Sequence, residues 1–246
     1  MSIEYGVLIQ ARTGSSRTPN KISHLILGKE MLFHQIKRLQ ENGIRDIFIA
    51  TTTNPADNGV KEITDRCNVE LFRGSEDDVL ERFYFAARKF EIENIIRVGG
   101  DDPLIDPNCI ISLVKQHKAH SANFIYASHR KGWIYGTAAE LIEFDALEKA
   151  HRLATSSIDK EHVVTFIKNN SLFTEIKITP LNEKEIRDDI FLSVDYREDL
   201  DLIEQILVRF SSQNKLYTFG QRDLIALYDS GTLDIRNRDL HQGFSD

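Results

Sequence analysis

Ile9-Gln10-Ala11-Arg12-Thr13-Gly14-Ser15-Ser16-Arg17-Thr18-Pro19-Asn20-Lys21 is the stretch on which the fold turns. It follows Tyr5-Gly6-Val7-Leu8-Ile9, an apolar run that reads as a short buried strand. A helix-periodic segment begins near Met31. The stretch is therefore a loop at the C-terminal end of a first strand, where open α/β folds place their ligands. Gly14 lets the backbone turn sharply and approach a ligand. Successive backbone N–H groups can form an anion-binding concavity. Arg12, Arg17 and Lys21 can neutralise phosphate oxygens, the arginines in bidentate fashion. The ligand chemistry is that of a polyphosphate; on composition alone, a basic surface loop without a ligand is the alternative. The Walker spacing is missing. The single glycine also rules out a dinucleotide fingerprint.

Outward from this loop, strand-like and helix-like segments alternate. Leu32, Ile36 and Leu39 share a helical face that Asn42-Gly43 ends. Residues 46–50 form a second strand, and Thr51-Thr52-Thr53-Asn54-Pro55 closes it. That polar loop suits a base or ribose, or is a plain turn before the next helix. A helix over residues 57–66 and a strand over 69–72 follow. The alternation implies a parallel sheet. Arg73-Gly74-Ser75-Glu76-Asp77-Asp78 then opens another helix. Ser75 is the expected cap, and Asp77 and Asp78 suit the positive end of the helix dipole.

A fourth strand, residues 94–98, ends in Gly99-Gly100-Asp101-Asp102-Pro103-Leu104-Ile105-Asp106-Pro107. Adjacent carboxylates at a strand end are hard-oxygen ligands suited to Mg²⁺. A second acid, Asp195, ends the apolar run Phe191-Leu192-Ser193-Val194, read as a strand before a helix with Leu200, Ile203 and Ile206. Asp199 falls in that helix's first turn, where a carboxylate is favourable. Helices are also expected over residues 110–117 and 145–154, and strands over 124–127 and 173–178. Lys160-Glu161-His162-Val163 holds a Glu-His pair. It can position a substrate or act in acid–base chemistry, or be a structural pair on a helix. His129, Arg130 and Lys131 can meet a carboxylate or phosphate, or form a solvated loop.

The opening loop resembles the N-terminal signature of the nucleotide-activating cytidylyltransferases, above all their spore-coat polysaccharide branch. Gln10, Ala11, Arg12, Gly14, Ser15, Arg17, Pro19 and Lys21 match that pattern. So do Arg73 to Leu80, Gly100-Asp101-x-Pro-Leu-Ile-Asp-Pro, Lys160-Glu161-His162 and Val194-Asp195. The resemblance implies a Rossmann-like three-layer α/β nucleotidyltransferase domain with a mostly parallel sheet. One domain over residues 1–246 is expected, with residues 123–180 forming a small excursion for the second substrate and dimer contacts. It implies CTP contacts from Gln10, Ala11, Arg12, Gly14, Ser15, Ser16, Arg17, Lys21, Thr51, Thr52, Arg73, Gly74 and Ser75. Arg12, Lys21 and Asp101 are the implied catalytic groups, and Asp101 and Asp195 the implied Mg²⁺ ligands. Arg130, Glu140 and His162 are the implied contacts to a small anionic acceptor, and a homodimer is implied. Two positions depart from the branch: Ala138 replaces an acid and Tyr196 a threonine. A metal-dependent glycosyltransferase and a non-catalytic nucleotide-binding homologue are the rival readings.

Composition narrows the field further. The chain has 246 residues and a net charge of −7. That argues against a nucleic-acid partner. Cys67 and Cys109 have no metal-site or disulfide spacing and read as reduced thiols. No signal peptide and no membrane span is evident in the sequence. A cytoplasmic enzyme is expected.

Overall fold

The computed structural model describes residues 2–15, 17–127, 132–180 and 182–241. Of the candidate residues, Ser16 and Arg130 lie outside these, as do His129 and Lys131. Four strands open the fold in parallel: β1 (Ile3–Gln10), β4 (Ile47–Thr52), β5 (Glu70–Gly74) and β6 (Ile92–Gly99). Helices α1 (Met31–Glu41), α2 (Asn58–Cys67) and α3 (Val79–Lys89) connect them. A two-residue hairpin, β2 (Leu25–Ile26) with β3 (Lys29–Glu30), precedes α1. After α4 (Pro107–Ala119) come β7 (Phe124–Ala127) and β8 (Glu140–Glu143), then α5 (Phe144–Leu153), α6 (Ser157–Glu161), α7 (Thr165–Lys168) and β9 (Glu175–Ile178). Helices α8 (Arg197–Ser212) and α9 (Gln221–Asp229) follow. The seven-stranded sheet has the order β5-β4-β1-β6-β8-β7-β9, and β8 runs against both of its neighbours.

Alternation along β1 divides the core in two. Val7 and Ile9 face one side and pack with residues of α1, α2, α4 and α8. Leu8 faces the other side and packs with α3, α5 and α7. The result is the expected three-layer α/β sandwich. Residues 123–180, expected to form the excursion, supply β7, β8 and β9 to the sheet and α5 to α7 across one face.

The structure corrects several local expectations. Residues 191–195 are not a strand: among the described residues they make a single bridge, Phe191 with Tyr135. Apolar character buries this segment, but its backbone bonds irregular chain, Leu192 N–H to Tyr135 O at 2.9 Å and Val194 N–H to Asp101 O at 2.8 Å, and, among the described residues, no sheet strand. The Glu161-His162 stretch is not one helix, because His162 ends α6 in extended geometry before α7 begins. Helix α3 is capped by Asp78, whose Oδ1 accepts from the Glu81 N–H at 2.8 Å, while Ser75 Oγ accepts from the Asp78 N–H at 3.0 Å. Strand β8 was not anticipated, since four residues after an irregular segment carry little periodicity.

Helix α1 does more than cover the sheet. Its buried Gln35 donates to the carbonyls of Gly99 (2.7 Å) and Asp102 (2.9 Å), fastening the turn after β6. One turn on, the buried Arg38 donates from Nε to Ile105 O at 2.8 Å and from Nη2 to Phe219 O at 2.7 Å. Its guanidinium lies 3.9 Å from the Phe219 ring centroid, and burial draws its pKa down to about 10. Arg38→Met should therefore strand buried carbonyls and destabilise the fold by about 3 kcal/mol. Urea unfolding checks this; a loss below about 0.5 kcal/mol would contradict it.

Candidate active site

At the C-terminal edge of the sheet, the loop after β1 closes on itself. Ser15 N and Asn20 N both donate to Thr13 O, at 2.9 and 3.0 Å. Asn20 takes the left-handed conformation (φ 59°) just before the helical turn Lys21–Ser23. Across the gap, Gly100 N donates to Gln10 O at 2.8 Å. A Cβ on Gly100 would lie 2.6 Å from that same oxygen, so only glycine lets the two strand ends approach this closely. Asp101 follows directly.

The chain then brings its second acid to the same point. The Val194 N–H donates to Asp101 O at 2.8 Å. Gly136, at φ +88°, lets the segment before β8 lie against residues 192–193; a Cβ there would sit 2.3 Å from Ser193 N. Lys21 occupies the meeting point. Its buried ammonium donates to Val194 O at 2.5 Å and lies 3.4 Å from Asp101 Oδ2 and 3.7 Å from Asp195 Oδ1. Arg17 Nη2 reaches Asp195 Oδ1 at 2.9 Å, and Thr18 Oγ1 donates to Asp195 O at 2.7 Å. The Arg17 guanidinium stands 5.4 Å from the Tyr196 ring, so Tyr196 meets the phosphate loop directly. Burial and the neighbouring Asp101 carboxylate hold the Asp102 carboxyl well above the usual range, which favours its neutral form.

A cavity of about 510 Å³ opens over this cluster. Gln10, Arg12, Gly14, Ser15, Arg17, Lys21, Asp101 and Asp195 line it, and Glu140 and His162 form its far wall. Other sequence candidates do not line it. Ala11 is fully buried. Thr51 and Thr52 are also fully buried, and the Thr52 hydroxyl is spent on Asp57. Arg73 donates to Thr52 O, Asn54 O and Asn58 Oδ1, so it pins the loop after β4. Gly74 and Ser75 shape the entry to α3, where Arg82 packs under Gly74 and bonds Ser75 O. The Glu140 carboxylate, expected to touch substrate, is engaged by Arg97 at 2.7 Å and Lys168 at 3.3 Å. Burial would raise its pKa, but Arg97 and Lys168 outweigh that and hold it low.

Two supporting residues escaped sequence reasoning. Asp57, nearly fully buried, accepts from the Thr13 N–H at 2.6 Å, from Thr13 Oγ1 at 2.7 Å and from the Thr52 hydroxyl. It thus ties the phosphate loop to the end of β4. Asp199 Oδ2 accepts from the N–H groups of Asp195 and Tyr196 at 2.9 and 2.8 Å. Its Oδ1 accepts from Asn237 Nδ2 and bonds His241 Nε2, each at 2.8 Å. The C-terminal residues therefore brace the second acid. The first-turn position of Asp199 was legible in the sequence, but its links to Asn237 and His241, and that of Asp57 to Thr13, span about 40 residues and leave no local signal.

A loop rich in N–H donors and cations, faced by two converging carboxylates at the edge of a mostly parallel sheet, defines a nucleotidyltransferase. The family model described as cytidylyltransferase matches residues 6–224, and the chain belongs to that family. It is 37% identical over 212 residues to an uncharacterized protein of Methanocaldococcus jannaschii, covering 84% of each chain. The spore coat polysaccharide biosynthesis protein SpsF of Bacillus subtilis is 25% identical over 205 residues, 81% of this chain and 84% of that one. A 3-deoxy-manno-octulosonate cytidylyltransferase of Hydrogenovibrio crunogenus is 32% identical over 119 residues, 46% of each chain. Among solved structures, a cytidylyltransferase from Leptospira borgpetersenii superposes with a TM-score of 0.85 at 25% identity, covering 99% of each chain.

Asp57 yields a pH-dependent prediction. Burial acts to raise its pKa, but the hydrogen bonds from Thr52 and Thr13 win and depress it. A depressed carboxylate stabilises the fold above its unfolded value of about 4, and that contribution fades as pH falls through the lower folded value. Asp57→Asn should be about 2 kcal/mol less stable than wild type at pH 7. The gap should narrow below about pH 4. Denaturant titrations at both pH values measure it.

Proposed function

We propose that this enzyme transfers CMP from CTP to a small acidic sugar or related anionic metabolite, releasing pyrophosphate, with Mg²⁺ as cofactor. The supporting observation is the convergence of Asp101 and Asp195 on Lys21 opposite the phosphate loop. Arg12, Arg17, Lys21 and the backbone at Gly14 would hold the triphosphate. Arg12 lines the cavity and makes no ion pair with any described residue, so its charge is available to phosphate. Asp101 and Asp195 would hold the magnesium ion. Two hard carboxylate oxygens suit a cation that takes its remaining ligands from phosphate and water. Bound there, the ion would neutralise phosphate charge and polarise the phosphoryl oxygens.

An acceptor oxygen entering from the Glu140–His162 side would attack the α-phosphorus, and pyrophosphate would leave toward the loop. The protein supplies position and fixed positive charge, with no covalent step of its own. His162 is exposed at the cavity wall and can meet either the acceptor or its proton. Cytosine as the base, and a role in surface glycan synthesis, rest on the family and on the names of the relatives above. We also propose a homodimer with contacts from residues 123–180, to be read by analytical ultracentrifugation.

The enzymatic test mixes protein, CTP and Mg²⁺ with a panel of sugar acids and measures pyrophosphate. Asp101→Asn and Lys21→Met should each lower the rate about 100-fold or more. EDTA should abolish it and Mg²⁺ restore it. Full turnover by Asp101→Asn would refute the role given to that carboxylate.

A further inference from the structure

Beside the phosphate loop, the cavity has a floor built from the sheet itself. In register, Gln10 of β1 pairs with Gly99 of β6, and Arg97 of β6 pairs directly with Glu140 of β8. Cross-strand partners share a face. Gln10, Arg97 and Glu140 therefore form a polar row on the Leu8 face, where the sheet runs out into the cavity, and all three line it.

The charges in this row do not balance. Arg97 Nη1 donates to Glu140 Oε2 at 2.7 Å, and Lys168 Nζ lies 3.3 Å from Glu140 Oε1. Two cations thus face one carboxylate, leaving one positive charge in surplus. The guanidinium is also under-used. Arg97 Nε is buried without a partner, and Nη2 makes no hydrogen bond to any described residue. Nε and Nη2 share one edge of the guanidinium plane. That edge is the fork that takes a carboxylate in bidentate fashion; Nε is enclosed, so the side chain must turn toward the cavity to present both donors. Gln10 Oε1, on the next strand, is also buried without a partner. Buried donors and acceptors left unpaired are costly and point to an absent partner.

The triphosphate is already provided for by Arg12, Arg17 and Lys21. Arg97 lies four residues before Asp101, down β6 and toward β8, away from that loop. Resting on the nucleotidyl-transfer reading above, we propose that the Nε–Nη2 edge of Arg97 receives the carboxylate of the second substrate. Glu140, with Lys168 behind it, positions Arg97 and does not touch that substrate.

The experiment uses glycolate as the carboxylate probe, glycolamide as its neutral isostere and methyl phosphate as the competing anion. CTP binding is first measured by calorimetry on wild-type protein, and each probe is then titrated into CTP-saturated samples. The Arg97 Nε–H resonance is followed by ¹⁵N NMR, assigned by its absence in Arg97→Gln. Glycolate should shift that resonance saturably and glycolamide should not. Arg97→Lys keeps the charge but loses the fork, and should weaken glycolate about tenfold by calorimetry. Glu140→Gln should move the Arg97 resonance before any probe is added and weaken glycolate severalfold. The proposal is overturned by an equal response to glycolamide, by no saturable response to glycolate, or by tighter binding of methyl phosphate at Arg97. Failure of wild-type protein to bind CTP would instead sink the nucleotidyl-transfer reading, so the two failures are distinguishable.

Discussion

The ammonium of Lys21 sits between two carboxylates, and the tertiary structure is arranged around keeping it there. Lys21 begins a helical turn that exists because Asn20 turns the chain left-handed. Asp101 ends a strand whose turn is gripped by Gln35 from helix α1. Asp195 arrives on an irregular segment held by the Asp101 backbone on one side and Asp199 on the other. One cation shared between two acids from distant segments cannot form until the three parts of the chain have docked. Two like charges brought together without a cation between them would repel. Lysine therefore holds the two acids together.

Support for the site comes from buried polar groups more than from apolar packing. Gln35, Arg38, Asp57 and Asp199 are all nearly or fully buried; Gln35 and Arg38 bond backbone carbonyls, while Asp57 and Asp199 accept from backbone N–H groups and side chains alike. A hydrophobic contact tolerates sliding, whereas a hydrogen bond to a particular carbonyl does not. The loops around the cavity lack regular secondary structure to place them, so these side chains set their positions. The same logic explains why Thr51, Thr52 and Arg73 lie behind the site instead of within it. Their polar groups close the junction between β4, β5 and the loop after β4, and that junction carries the Asp57 link to Thr13.

On the opposite wall the balance is reversed. Arg97 keeps donors unpaired, and Glu140 and Lys168 restrain it from one side only. Buried polar atoms stay open elsewhere too, Arg82 Nε and Nη2 among them; those of Gln10 and Arg97 differ in belonging to residues that line the cavity. Ala138, small and at the cavity wall, adds no charge there.

The chain's linear pattern was enough to read the parallel α/β half and to place a cation-rich loop after β1, while the family resemblance singled out Asp101 and Asp195 as a pair. The first two rest on short-range information: apolar runs of strand length, and glycine, proline and cations in a turn. Tertiary structure alone decided the antiparallel β8, the irregular approach to Asp195 and the pairing of Glu140 with Arg97 and Lys168. These depend on which strand edge is free and which side chain faces which across a sheet. Both are settled between residues 40 to 180 positions apart, a distance over which sequence spacing carries no geometric signal.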